Sequence, residues 1–397
     1  MIAPEPFFEP RGTPFSEFHR IRALLDLGHQ VDLVTYPFGQ AVTMPGLRVF
    51  RCLRPPFVRG VKVGPSLAKI PLDAALSLSV LRRALAGRYD VVHSHEEGGL
   101  IGIVIAALLR VPHLYDMHSS LPQQLTNFAF TRSRAIRRLF DAVERLMIRR
   151  SRVVIVICPS LEETVRKIDR TAQVVLIENA PGSGSDDGDA AAPTAVRRQL
   201  GLGDDVPIVL YTGTFEAYQG LDLLMDAMTR VCAARLDARL VLAGGKPEQV
   251  EQAKARCRAV GIESATIFVG ERPAAEIPAY LRAADVLVSP RSRGTNTPLK
   301  IYQYLRAGKP IVATRLLTHT QVLSDETAIL TGATSEAFAE GVLAALTDRR
   351  RAREVGEAAQ TLAATKYSYD AYLQRTRDAC AALAPQPSSG AIVKDLA

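Results

Sequence analysis

Apolar positions fall along the 397 residues in two alternating rhythms. Short runs rich in Val, Ile and Leu ("VDLVTY", "LRVF", "VVHSH", "HLYDMH", "VVIVICPS", "VVLIEN") are separated by longer stretches whose apolar residues recur every three or four positions. After a polar interruption the alternation resumes with "IVLYTG", "RLVLAG", "TIFVG", "VLVSP" and "IVAT". Continuous apolar strands separated by helices predict βαβ units and parallel sheets covered on both faces. The fold class expected is α/β, with two Rossmann-like parallel-sheet domains facing across a cleft. The divisions expected are residues 1–180, a linker at 181–195, a second domain at 196–365, and a helix with tail at 366–397. The linker "APGSGSDDGDAAAPT" is rich in Gly, Ser, Asp and Ala. Its Asp186, Asp187 and Asp189 read as a solvated hinge rather than a metal site.

The helical pattern is clearest in four places. "TPFSEFHRIRALLDLGH" predicts Thr13 as N-cap, Pro14 at the first helical position, Phe18, Ile21 and Leu25 on the buried face, and Gly28 as the stop. "GLDLLMDAM" places Leu221, Leu224, Met225 and Met228 at helical spacing. "GGLIGIVIAALL" (Gly98 to Leu109) is too short to span a bilayer and predicts a buried helix. "YSYDAYLQRTRDACAAL" predicts a last helix, followed by a frayed tail. No stretch reads as a signal peptide. "MIAP" reads as the end of a strand already under way, so the natural chain is expected to extend upstream of Met1.

Composition narrows the picture. Apolar residues at 47% and charged residues at 23% exclude a disordered chain. Five scattered Cys without a C-x-x-C pair argue for reduced thiols and against a zinc site or disulfide framework. The net charge of +8 is one-sided: residues 1–180 hold 24 Lys/Arg against 16 Asp/Glu, and residues 181–397 hold 25 of each. The first half is therefore expected to meet an anionic partner. Within it, "TRSRAIRRLFDAVERLMIRRSR" carries eight Arg, with Ile136, Phe140, Val143 and Met147 as an apolar stripe. Such a helix lies either on anionic lipid or against the core with a solvated Arg face. "RPPFVRGVKVGPSLAKI" mixes basic and apolar residues in a way that suits a lipid-linked ligand. Without aromatic interleaving or any Trp, nucleic acid is the poorer explanation of the charge, and no nucleic-acid partner is expected.

Candidate chemistry concentrates in loops after strands. In "RGTNTPLKIYQYLRAGKP" a strand exits through Gly294, Thr295, Asn296, Thr297 and Pro298 into a helix carrying Lys300. Free N–H groups and the positive dipole end of a helix form an anion site. Arg291, Arg293 and Lys300 add charge suited to a diphosphate, and the Thr and Asn side chains are expected to cap the helix or donate to phosphate oxygens. Gly213 and Gly220 bracket a second turn in "YTGTFEAYQG", and Gly12 with Thr13 opens a third. His93, His95 and His118 end strands, where a His serves either as a structural hydrogen-bonder or as a ligand contact. No H-E-x-x-H, Walker A, G-x-S-x-G or Cys-His metal spacing occurs.

At these residues the chain resembles the family-4 retaining glycosyltransferases of the GT-B fold. The likeness runs through "PRGTPFSEFHRIRALLDLGHQVDLVTY", "DVVHSHEEGG", "YDMHSSLPQQL", "YTGTFEAYQGLDLLMDAM", "LVLAGG", "FVGERPAAEIPAYLRAADVLVSP" and "PLKIYQYLRAGKPIVAT". The resemblance implies a nucleotide-sugar donor on the second domain, an acceptor on the first, and a last helix returning to brace the first. The family's paired Glu falls on Thr295 and Gln303. Its diphosphate-binding Arg and Lys fall on Thr214 and Gln219, leaving that charge to Lys300, Arg291 or Arg293. Arg272 falls where backbone groups read the base, and His118 where a His meets the transferred sugar and β-phosphate. Leu299 completes the donor loop.

What the resemblance implies is a retaining hexosyltransferase. It would move sugar from a UDP- or GDP-sugar to a glycan or lipid-linked acceptor in cell-surface polysaccharide synthesis. His118 and Lys300 are the catalytic candidates, and neither cofactor nor metal is expected. The expected location is cytoplasmic, peripheral on the inner face of the plasma membrane. The alternatives are a nucleotide-sugar epimerase of the same architecture and a non-catalytic sugar-nucleotide-binding paralogue.

Overall fold

Each of the apolar runs forms a strand, and all strand pairs are parallel. The computed structural model describes residues 1–8, 12–61, 66, 69–127, 133–178 and 193–384. The linker stretch from 181 to 192, the Asp trio, parts of the 54–70 segment and the tail after Ala384 lie outside the described residues. The chain divides into two units, Met1–Glu178 with Tyr372–Ala397, and Asn179–Ala371.

In the first unit the strands are β1 (Ile2–Ala3), β2 (Val31–Thr35), β3 (Leu47–Arg51), β4 (Val92–His95), β5 (His113–Met117), β6 (Val153–Val156) and β7 (Val174–Leu176). They form one sheet in the order β3-β2-β1-β4-β5-β6-β7. In the second they are β8 (Ile208–Thr212), β9 (Arg239–Ala243), β10 (Thr266–Gly270), β11 (Val286–Ser289), β12 (Ile311–Thr314) and β13 (Ile329–Thr331), ordered β10-β9-β8-β11-β12-β13. Central strands such as β6, β8 and β12 are buried at every position, as sheets covered on both faces require. Strand β13 was not anticipated, because "AILT" follows a helix too short to announce it.

The helices bury the faces their spacing predicts, with three differences. The first helix spans Gly12–Asp26, so Thr13 lies within its first turn rather than capping it, and Pro14 is its third residue rather than its first. Ile21 and Leu24 are buried, with Phe18 and Leu25 packed alongside, and Gly28 ends the turn at φ +87°. The Gly98–Leu109 helix is not buried all round: Leu100, Val104 and Leu108 form an exposed row. In the Arg134–Arg150 helix the fully buried side is Glu144, Met147 and Ile148. Phe140 and Val143 are half-buried and Ile136 is exposed. Packing against the β5–β6 core thus buries the Met147 end of the expected stripe, half-buries Phe140 and Val143, and leaves the Ile136 end exposed.

The last helix, Tyr369–Ala381, runs into the first unit. Arg375 Nη1 donates to Glu178 Oε2 at 2.5 Å, and Arg152 Nη2 to the Ala384 carbonyl at 3.2 Å.

Gly220 positions the second unit's key turn. Its φ is +76°, and a Cβ there would collide with the Pro290 carbonyl. We expect Gly220→Ala to cost about 2–4 kcal/mol through left-handed strain and overpacking. Thermal denaturation should show this as a fall of roughly 5–15 °C. An unchanged melting temperature would show that this contact does not constrain the turn.

Candidate functional site

Two polar constellations occupy carboxyl ends of strands, one in each unit. The second unit's lies between the turn after β8 and the loop after β11. Gly213 follows β8 with φ +132°, and its N–H continues the ladder to the Ala243 carbonyl at 2.9 Å. Beneath it lies Lys300: a Cβ on Gly213 would stand 3.3 Å from the Lys300 Nζ. Lys300 is the second residue of the Leu299–Ala307 helix and is 8% exposed. Its Nζ sits 3.7 Å from the centre of the Tyr211 ring and has no hydrogen-bond partner among the described residues. Burial, reinforced by the nearby Arg291 charge, pushes its pKa well below the usual lysine range.

An exposed lysine, the usual state of this residue type, is not what the fold provides. The helix turns its Ile301 and Tyr302 side into the core and carries Lys300 in with it. The capping expectation fails, since Pro298 is the N-cap and no side chain caps the helix. Thr297 is buried with an unpartnered Oγ1. Backbone oxygens of the loop are engaged instead: Asn296 O accepts from Arg291 Nη1 at 3.0 Å and Thr318 Oγ1 at 2.6 Å. Thr295 O accepts from Gln321 at 2.6 Å. Arg291 is thus committed to shaping the loop, with Tyr218 against its guanidinium, while Arg293 is exposed.

Gln219 is buried and donates to Thr214 Oγ1 at 3.3 Å, but its Oε1 has no partner. Gln303 is half-buried one turn beyond Lys300, on the same side of the helix. Arg272 folds back onto the Val269 carbonyl at 2.6–2.8 Å. The geometry therefore sets Gly213 against Lys300 and Gln219 against Thr214, with Thr297 buried at the entrance of the Lys300 helix. Buried polar atoms without partners are rare in folded proteins, and each calls for an explanation, such as a water, an ion or a ligand that completes the bonding.

The first unit holds a denser cluster. Arg20 Nε donates to Asp116 Oδ2 at 2.9 Å, with both side chains buried. His93 Nε2 lies 3.5 Å from Asp116 Oδ2, and His118 Nε2 lies 3.4 Å from Asp116 Oδ1. His95 Nδ1 shares a hydrogen bond with His118 Nε2 at 3.0 Å and lies 3.6 Å from Glu17. Burial acts to raise the Asp116 carboxyl, but Arg20 and the histidines outweigh it and hold it well below the usual carboxylate range. Burial also lowers all three imidazoles, and raises Glu17, which shares its surroundings with Glu5.

Beyond His118 the chain is pinned by two carboxylates. Glu96 accepts from Ser119 Oγ at 3.0 Å, and Glu144 accepts from the Leu121 N–H at 2.7 Å. Gly12 and Thr13 open the first helix of this unit.

His93, His95 and Asp116 bring ligand-type atoms within 4.8 Å of one another. They do not fit a metal as packed. The imidazoles stack in sequence, at 21° and 27° between planes. A metal binds imidazole in the ring plane, about 2 Å from nitrogen, and near-parallel stacked planes share no such point. Arg20 adds a fixed cation beside the carboxylate.

Sequence reasoning named His93, His95, His118 and Lys300, but missed Arg20, Glu17, Asp116 and Tyr211. The alternation of Asp116 with His118, and of His93 with His95, places each pair on one strand face. Nothing local marks Arg20.

Two family models match in tandem: a glycosyl transferase 4-like domain over residues 19–180 and a glycosyl transferases group 1 domain over residues 194–362. An uncharacterized glycosyltransferase of Methanocaldococcus jannaschii is 25% identical over 308 residues, covering 75% of each chain. Among solved structures, sucrose-phosphate synthase from Thermosynechococcus elongatus superposes with TM-score 0.77 at 20% identity, covering 96% of this chain and 98% of that one. Anabaena HepE, solved with UDP-glucose, superposes with TM-score 0.73 at 16% identity and the same coverage.

The Lys300 burial carries a pH signature. Its folded-state pKa lies below that of the unfolded chain, so between the two values the unfolded chain binds more protons and stability rises with pH. We expect Lys300→Met, which keeps the volume without the charge, to be more stable than wild type at pH 7. That advantage should shrink as pH approaches about 10, the ordinary lysine value. Urea unfolding across this range checks it, and a less stable Lys300→Met at pH 7 would contradict the buried-amine geometry.

Proposed function

Because the chain belongs to the family-4 type glycosyltransferases of the GT-B fold, we propose that it is a retaining hexosyltransferase using a UDP- or GDP-sugar. The acceptor is a glycan or lipid-linked glycan in cell-surface polysaccharide synthesis. The observation that supports this reading best is the buried Lys300 amine beneath the Gly213 turn, which has no hydrogen-bond partner among the described residues, with the buried Thr297 hydroxyl as a further unsatisfied donor.

A diphosphate reaching that turn supplies the anion that the buried amine lacks. Its arrival favours the protonated form, so binding and charging are coupled. As the glycosidic bond breaks, negative charge grows on the β-phosphate, and Lys300 with the amino end of its helix stabilises it. Thr214 and Gln219 contribute hydrogen bonds but no charge. Gln303 reads ribose hydroxyls, Arg272 the base through its backbone, and His118 the sugar. Thr295 supplies no carboxylate, so charge stabilisation rests on the leaving-group side. The leaving phosphate then takes the acceptor proton on the same face, which retains configuration. No metal or cofactor enters this scheme.

Two outcomes are expected. At pH 8, calorimetry of UDP binding in buffers of differing ionisation enthalpy should show proton uptake. Lys300→Met should abolish that uptake and weaken binding about ten- to hundred-fold, the range for a charge-assisted contact. Wild-type affinity and turnover in Lys300→Met would overturn the reading.

Peripheral binding to an anionic membrane is the second part of the proposal. It is supported by exposed Arg137, Arg138, Arg149 and Arg150 on a helix in the same unit as the exposed Leu100, Val104 and Leu108 row. Among the described residues no helix is long and apolar enough to cross a bilayer. Replacing those four arginines with Gln should release the protein from phosphatidylglycerol vesicles, and wild-type binding should weaken as salt rises. Binding that is insensitive to both would contradict it.

A further inference from the structure

Asp116 is a single carboxylate, fully buried, with four groups around it that can carry positive charge: Arg20 from the first helix, His93 and His95 from β4, and His118 just past the end of β5. Only one of them can balance it without leaving a net buried charge, and uncompensated charge is expelled from such a site. Arg20 is always protonated and lies nearest, at 2.9 Å against 3.4–4.0 Å for the imidazoles. It is also held from a second side. Its Nη1 donates to Thr376 Oγ1 at 3.2 Å, and the Tyr372 ring lies 4.9 Å from the guanidinium. Both residues belong to the last helix.

We infer that Arg20 is a positioning residue for His118: by taking Asp116 as its own ion-pair partner, it keeps the His118 imidazole uncharged and hydrogen-bonded to His95. The last helix keeps Arg20 in place, so its return to the first unit serves the site as well as the core. An uncharged imidazole both donates and accepts, which suits a sugar hydroxyl, whereas an imidazolium only donates. The other charged or titratable groups facing the cluster are Glu17 on the first helix, Glu5 after β1, Glu96 after β4, Cys380 and Tyr372 on the last helix, and the Met1 amino group. Burial favours the neutral form of Glu17 and Glu96, so neither carboxyl offers the imidazoles an alternative counter-ion. This inference rests on the reading that His118 meets the donor sugar.

The test is the protonation of His118 in the ligand-free full chain. It is followed by NMR of isotope-labelled histidine, with the His118 signal assigned by its loss in His118→Gln. In Arg20→Met, Asp116 loses its partner and an imidazole must replace it. The His118 midpoint should then rise by about one pH unit or more, the usual effect of an adjacent opposite charge. Arg20→Lys should hold it near the wild-type value, and Arg20→Met with Asp116→Asn should return it there. If Arg20→Met does not fold, Asp116→Asn alone decides, since removing the carboxylate should lower the midpoint further. An unchanged midpoint in Arg20→Met, or in Asp116→Asn where that variant decides, overturns the inference. Turnover separates the two readings. If the midpoint moves but the acid limb of the pH–rate profile does not, Arg20 controls His118 as inferred, and His118 does not act on the donor.

Discussion

Parallel strands covered on both faces leave little room for polar groups except at their ends, and that constraint arranges this molecule. β6, β8 and β12 are apolar and buried throughout, so ionisable side chains collect where strands give way to loops. In the second unit that place is the turn at Gly213 and the loop entering the Lys300 helix. In the first it is the ends of β4 and β5, with His95, Asp116 and His118. Each group placed there is partly withdrawn from water, and its protonation is set by the few partners within reach.

The two sites resolve that situation in opposite ways. Around Asp116 the charge is balanced internally, with Arg20 closing the account and the imidazoles left neutral. Around Lys300 nothing balances the amine. Tyr211 gives it a π face, Arg291 opposes its charge, and the nearest polar oxygens serve other bonds or remain unpaired. A cluster whose charges balance needs no added ion, although several of its polar atoms lack hydrogen-bond partners among the described residues, whereas an unbalanced amine gains most when an anion arrives. This difference gives a physical basis for assigning donor phosphate to the second unit and a positioning role to the first unit's network.

Glycines and prolines shape the approach to the unsatisfied site. Gly220 lets the Leu221–Ala234 helix begin against the Pro290 carbonyl, and Gly213 keeps side-chain bulk away from the Lys300 Nζ. Arg291 donates to the Asn296 carbonyl and the Thr318 hydroxyl, so a residue that sequence would count as ligand charge acts as scaffold.

Strand identity and parallel pairing were legible in the sequence, because apolar runs with this spacing have no other way to satisfy their backbones and bury their side chains. Family membership was legible from the order of motifs, as were His118 and Lys300 as residues of interest, since both stand at element boundaries. Burial was not legible. Lys300 carries no local sign of its enclosure, the Gly98–Leu109 helix reads as wholly buried, and the Arg134–Arg150 stripe reads as one face from Ile136 to Met147 although only its Met147 end is fully buried. Each depends on which neighbour the helix packs against, and periodicity does not encode that rotation when several faces are apolar. Arg20 and Asp116 lie 96 residues apart, and Arg20 and Thr376 lie 356 apart. Only tertiary structure could join them, because a buried ion pair is chosen by proximity in space and by the absence of water, and neither is a property of local sequence.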